Sequence, residues 1–166
     1  MAQGTGPDFA LGLLPAAPLV RSHGGQRLCP GRFLQLGRDF ARVLTRSLAD
    51  RSRFCDLLSA QAGVLEHNVS SEVAARYKRA ALANVDVLAE LARMHLPELH
   101  DREEQLSAQI ILVIGAVWIH SQPSPAMLAA YEADPSLAAQ RMEFAPALEN
   151  LVTTLVAGTL ARTITS

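Results

Sequence analysis

The chain has 166 residues, the length of one domain or of a domain with a tail. Half of it (49%) is apolar and 19% is charged, which excludes a disordered polyelectrolyte. Fifteen basic against sixteen acidic side chains exclude a protein that holds nucleic acid mainly by bulk charge.

Residues 1–31 hold six of the ten glycines, four of the nine prolines and a single acid, Asp8. No helical stripe longer than about two turns runs through them, so a loosely packed or disordered N-terminal tail is expected there. Its one apolar stretch is interrupted by Gly12, Pro15 and Pro18, which argues against a signal peptide.

From Arg32 to Ser166 the pattern is helical almost throughout, and this is read as one domain. A first helix is expected over about 32–49, with Phe33, Leu36, Phe40, Val43, Leu44 and Leu48 on one face and Arg38, Arg42 and Arg46 on the other. Asp50 or Ser52 caps a second, running to about Asn68 with Phe54, Leu57, Leu58, Val64 and Leu65 as its stripe. A third, about Ser71 to Leu96, buries Val73, Tyr77, Ala81, Val85, Leu88, Leu91 and Ala92, and Pro97 stops it. The fourth spans about Asp101 to Ser121, with its acids in the first turn, where the helix dipole favours them. Pro123 and Pro125 force a loop before a short helix to about Ala133, and Pro135 opens a further turn. The last helix covers about Phe144 to Thr163, with Pro146 tolerated in its first turn. No stretch alternates with a period of two, so the fold class is all-α.

Two of these helices are apolar on more than one side. Ile110 to Ile119 leaves almost no polar face, and from Ala147 to Ile164 the large apolar residues are separated mainly by Ala, Gly and Thr. A helix that is apolar all round has to be buried all round, and one small domain has difficulty enclosing two. The economical solution is a homodimer through this pair, with Ile114, Leu151, Leu155 and Val156 as candidate interface residues. The Ile110–Ile119 run is about half the ~20 residues of a spanning helix, so no membrane segment is expected.

The stretch RFCDLLSAQAGVLEHNVSSEVAARYKRAALANVDVLAELARMHLPEL, Arg53 to Leu99, resembles the C-terminal ligand-binding and dimerisation domain of TetR-family transcriptional regulators. Its most specific parts are Phe54 to Ser70 and Tyr77 to Val85. The ending FAPALENLVTTLVAGTLA, Phe144 to Ala161, resembles the last helix of the same group. The resemblance implies a bacterial, cytoplasmic regulator that pairs through a four-helix bundle and takes a small hydrophobic or amphipathic effector, with no enzymatic activity. A chain of that family normally opens with about fifty residues containing a helix-turn-helix. Residues 1–31 show no such pattern, so no DNA-contacting position is carried over. The expectation is a truncated paralogue or a misassigned start or frame.

Chemical signatures are few. The five histidines include no His-x3-His or Glu-x-x-His pair on one helix, so no metal site is expected, and no Gly-rich phosphate loop or Gly-x-Ser-x-Gly motif points to a cofactor or a hydrolase. Cys55, beside Phe54 in an apolar helix, reads as an inert packing thiol, and only two cysteines, Cys29 and Cys55, fit a reducing compartment. Polar residues on apolar stripes are more informative. Gln61 shares a face with Phe54, Leu58 and Leu65; Asn84 and His95 share one with Tyr77, Leu88 and Leu91; Gln109 and His120 share one with Leu106, Val113 and Val117. A few such groups in an apolar lining describe an effector pocket, with Trp118 either in it or in the dimer seam. The alternative is a ligand-free helical protein that heterodimerises with a full-length regulator; a closed cavity above ~300 Å³ near Asn84 and Gln109 separates the two. The row Arg38, Arg42, Arg46, followed by Arg51 and Arg53, reads as a solvated face without the aromatic interleaving of a nucleic-acid surface.

Sequence-specific DNA readout needs several side chains presented to base edges, whereas phosphate contacts carry no sequence information directly. The polypeptide alone is therefore expected to bind duplexes weakly, without sequence preference, and progressively less as salt rises. Titration against specific and scrambled duplexes at physiological salt checks this; a nanomolar affinity lost on scrambling contradicts it.

Overall fold

The computed structural model describes residues 30–60 and 69–164, and every regular element among them is helical. The order is α1 (Pro30–Ala49), α2 (Ser52–Ala60), α3 (Ser71–His95), a 3₁₀ turn (Pro97–Leu99), α4 (Glu103–His120), α5 (Pro125–Ala133), α6 (Pro135–Ala138) and α7 (Phe144–Ile164). The expected bounds of the first, third, fourth and last helices hold to within two residues. The helix opens at Pro30, so Pro30 and Gly31 belong to α1 rather than to a tail. Most of the expected tail, and the continuation of the second helix through Val64 and Leu65 to Asn68, lie outside the described residues.

α4 sits at the centre, packed against α2, α3 and α7, and α1 lies along α7. Leu106, Ile110, Ile114 and Val117 of α4 are fully buried, as are Leu148, Val152, Val156 and Leu160 of α7. The spacing of the α7 set, four residues throughout, draws one straight stripe down the helix. α7 is long and apolar enough to cross a bilayer by length and composition. Its buried stripe against α1 and α4 marks it instead as a core helix of this bundle. Its threonines avoid stranding hydroxyls by bonding to the preceding turn: Thr153, Thr154 and Thr159 donate to the carbonyls of Glu149, Asn150 and Leu155 at 2.6, 2.9 and 2.8 Å.

α1 and α7 run antiparallel, as Gly37 meets Thr153 and Arg42 Nε lies 3.6 Å from Glu149 Oε1. A Cβ on Gly37 would stand 2.7 Å from the Thr153 carbonyl oxygen, so glycine lets the two backbones touch. Around that notch α1 buries Phe33, Phe40, Ala41, Leu44 and Leu48, while Arg38, Arg42 and Arg46 face solvent.

Ser70 caps α3, its Oγ accepting from the Val73 amide at 3.4 Å, and Glu72 favours the same end through the helix dipole. Pro97 ends the helix, and His100, at φ 58°, takes the left-handed turn that sends α4 back along α3. Arg93 near the end of α3 lies 3.9 Å from Glu103 at the start of α4 and also pairs with Glu90. The expected stripe of α3 is buried only over its C-terminal half. Leu88, Leu91 and Ala92 are enclosed, whereas Val73, Tyr77, Ala81 and Val85 are half-buried. The reason is length: α3 has 25 residues against 18 for α4, so its first turns reach past its antiparallel neighbour.

Between α4 and α7 the chain makes an excursion. Ser124 Oγ accepts from the Met127 amide at 3.2 Å and caps α5. Asp134 caps α6, accepting from the Ser136 amide and hydroxyl at 2.8 and 2.7 Å, and these bonds hold its carboxyl below the usual carboxylate range. Neither helix contains a buried residue.

Gly37→Ala places a methyl against backbone that cannot swing aside, so it should cost about 1–3 kcal/mol of overpacking despite alanine's better helix propensity. A fall in the denaturant midpoint at unchanged slope is the expected result.

Candidate functional site

The apolar circumference of α4 is not fully covered by its own chain. Leu112 and Ile119, two turns apart on one side of the helix, are 69% and 57% exposed, with the exposed Ala116 between them. On α7, Leu151 is 40% exposed, and Leu155 and Gly158 continue the same side half-buried. Large aliphatic residues thus stand exposed on two helices whose other faces form the core. Of the four expected interface residues, Leu151 and Leu155 present surface. Ile114 and Val156, at 1% and 0% exposure, point into the core of their own chain and have nothing left to offer a partner.

The expected pocket residues fall on different helices. Asn84 is buried on α3 with Leu88 and Leu91. His95 is half-buried at the junction of α1 and α3, in a concavity of about 30 Å³ shared with Arg32, Gln35, Asp39 and Phe40. Gln35 bonds both oxygens of Asp39 there, at 2.9 and 3.0 Å. Gln109 is half-buried, His120 is exposed at the end of α4, and Gln61 lies outside the described residues. A second, open concavity of about 470 Å³ lies between the 139–143 segment and the start of α7. Neither concavity contains Asn84, Gln109, Trp118 or His120. Ser107, fully buried on α4 with an unpartnered hydroxyl, was not singled out by periodicity, because serine breaks no helical stripe.

Trp118 joins three helices. Its indole N–H donates to Asp56 Oδ1 of α2 at 2.7 Å, and its ring meets Phe144, the first residue of α7, edge-on at 5.0 Å. Three positions before it on α4, Gly115 receives α2: a Cβ there would stand 3.0 Å from the Leu58 carbonyl oxygen. The α2–α4 contact is thus a backbone approach at Gly115 flanked by a hydrogen bond at Trp118. Beside it, burial and the Asp56 charge push the Cys55 thiol up to about 11, which makes it a packing group rather than a nucleophile. Among the described residues no three His, Cys, Asp or Glu side chains converge as a metal site would require.

The described core is all-helical, with a central apolar helix and a last helix paired to the first. The family described as tetracyclin repressor-like, C-terminal domain, matches residues 35–163. The chain belongs to that family. Its members are the regulatory half of repressor-type proteins, and no N-terminal DNA-binding domain is matched. None of the curated proteins matches the chain. In this TetR-like domain the tie through Trp118 links α2, α4 and α7.

Cys55 should be slow towards thiol reagents: with a pKa of about 11, roughly 0.1% of it is thiolate at pH 8. In a Cys29→Ser background, alkylation at pH 8 is expected only at the rate of global or local opening. Unfolded Cys55 ionises near its ordinary value while the folded thiol keeps its proton until about pH 11, so this group's contribution to stability is complete below about pH 9 and is lost through that window.

Proposed function

We propose that this chain is the effector-sensing and pairing half of a TetR-type regulator, acting as a homodimer joined through α4 and α7. The observation that carries the reading is the surface left on these helices, above all Leu112 at 69% and Ile119 at 57% exposure. Burying a large aliphatic side chain stabilises by about 1.5–3 kcal/mol, and a two-fold contact counts each residue twice. Gly158 supports the same reading. Added atoms there would meet none of the described residues within 4 Å, in contrast to Gly37 and Gly115, so the described residues give no reason for a helix-interior glycine that costs about 0.5–1 kcal/mol relative to alanine. A second helix approaching that side closely supplies one.

The effector is read from the family as a small apolar or amphipathic molecule; the two concavities described above touch neither Asn84 nor Gln109, so this part of the reading rests on the family, with the ligand-free heterodimer as its alternative. Asn84 is the buried amide that would orient it amid Leu88, Leu91 and the other apolar side chains. Binding would act on a partner head by shifting populations of paired arrangements, which requires different affinities for those arrangements. A cytoplasmic, bacterial setting follows from the family rather than from the geometry.

Sedimentation equilibrium tests the pairing. The wild-type chain should be a dimer at micromolar concentration, and Leu112→Glu with Ile119→Glu should return it to monomer with its helicity unchanged. Gly158→Ala should weaken the dimer while slightly raising monomer stability; a bare face would show only the second effect. A wild-type monomer at these concentrations contradicts the reading. For the effector, a ligand found by thermal-shift screening should lose most of its stabilising shift in Asn84→Leu.

A further inference from the structure

The open concavity between the 139–143 segment and the start of α7, about 470 Å³, has the size of a small-ligand site. Met142, Pro146 and Ala147 give it apolar lining. Beside them stand two carboxamides, Gln140 and Asn150, one guanidinium, Arg141, and one carboxylate, Glu143. None of these four side chains hydrogen-bonds or ion-pairs with another described residue. The main chain is open too. Arg141 N–H donates to the Ala138 carbonyl and Ala147 N–H to the Glu143 carbonyl, both at 3.1 Å. Between these two bonds the N–H and C=O of Met142 meet no partner among the described residues.

Water can satisfy any one of these groups, so a missing partner by itself marks nothing. The combination is what selects a ligand. A carboxamide carries a donor and an acceptor side by side, as a peptide unit does, so Gln140 and Asn150 can each meet an N–H and a C=O together. The free main-chain pair of Met142 repeats that pattern. An extended peptide is the ligand that offers N–H and C=O groups at regular spacing, about 3.3 Å per residue. Main-chain bonds of this kind give affinity, and side-chain contacts give specificity. Here the side-chain terms are an apolar contact at Met142, whose flexible thioether adapts to varied shapes, and two charges of opposite sign two residues apart.

We propose that this concavity docks a short extended peptide segment in which an acidic and a basic residue flank an apolar one. The acid faces Arg141, the base faces Glu143, and the apolar side chain rests on Met142, Pro146 and Ala147. The site uses neither Asn84 nor the exposed residues Leu112 and Ile119, so it stands apart from the effector and pairing readings above.

Fluorescence polarisation with the labelled peptide Ser-Asp-Leu-Lys-Ser tests it on the full chain. Saturable binding is expected, with a dissociation constant between about 10 µM and 1 mM, as suits a small contact. The charge-swapped peptide Ser-Lys-Leu-Asp-Ser should bind at least fivefold more weakly. Arg141 and Glu143 are both exposed, so Arg141→Glu with Glu143→Arg leaves the core untouched and should exchange the preference between the two peptides. Asn150→Ala should weaken binding at least fivefold with unchanged circular dichroism. No saturable binding up to about 1 mM overturns the site. So does a dissociation constant that the charge exchange and Asn150→Ala both leave within twofold. A peptide methylated at its main-chain nitrogens that binds as tightly as the parent overturns main-chain pairing. Equal competition by leucine amide overturns a peptide segment as the occupant.

Discussion

The structure is organised by the need to bury a helix with almost no polar side. α4 must be covered in every direction, and the chain brings α2, α3 and α7 to it. α7 is itself nearly as apolar, and α1 is recruited along its back. Each covering helix is amphipathic enough to end the sequence of demands: α1 closes with Arg38, Arg42 and Arg46 in solvent, and α3 closes with Arg93 and Glu90. What remains is a sector of α4 and of α7 for which the described helices offer no cover. The surface proposed for pairing is the remainder of a packing problem rather than a separate device.

Three glycines show how local chemistry serves that packing. At Gly37 and Gly115 the missing Cβ lets α1 meet α7 and α2 meet α4 through backbone contact, so side chains on either side interlock more deeply. Both positions lie inside helices, where glycine is unfavourable, and the closer contact offsets that cost. Gly158 carries the same cost with none of the described residues within 4 Å of an added Cβ. A second copy across the proposed two-fold would give it the same logic as the other two.

Much of this was legible in the residues. Helix bounds followed from Pro97, Pro123, Pro125 and Pro135 and from stripes with a period near 3.6, and the structure places the long helices within two residues of those expectations. The inert character of Cys55 and the burial of Asn84 were also readable, since each follows from its neighbours on one helix. Facing was not. Where a helix is apolar all round, periodicity carries no information about which sector turns outward, and so Ile114 and Val156 were placed at the interface although both are core. Contacts between distant positions were equally hidden: Asp56 and Trp118 are 62 residues apart, and nothing local in either segment announces the bond. Polar residues sharing a stripe carry the same limit, because a shared stripe fixes a face of one helix and says nothing of where that face meets another.

The tie at Trp118 gives the proposed sensing a physical route. α2 is held to α4 by two features one turn apart, the backbone approach at Gly115 and the Asp56 bond to the indole. The same indole rests against Phe144, where α7 begins. On the effector reading proposed above, a molecule seated against α2 would bear on this contact, and a displacement of α2 would reach Trp118 and, through Phe144, the first turn of α7. An effector can bias the pairing only by as much as its affinity differs between the two positions of α2, about 1.4 kcal/mol for each factor of ten. In the proposed homodimer, a firm tie would carry so small a difference to the paired surface, where a soft one would dissipate it in side-chain rearrangement before it left the core.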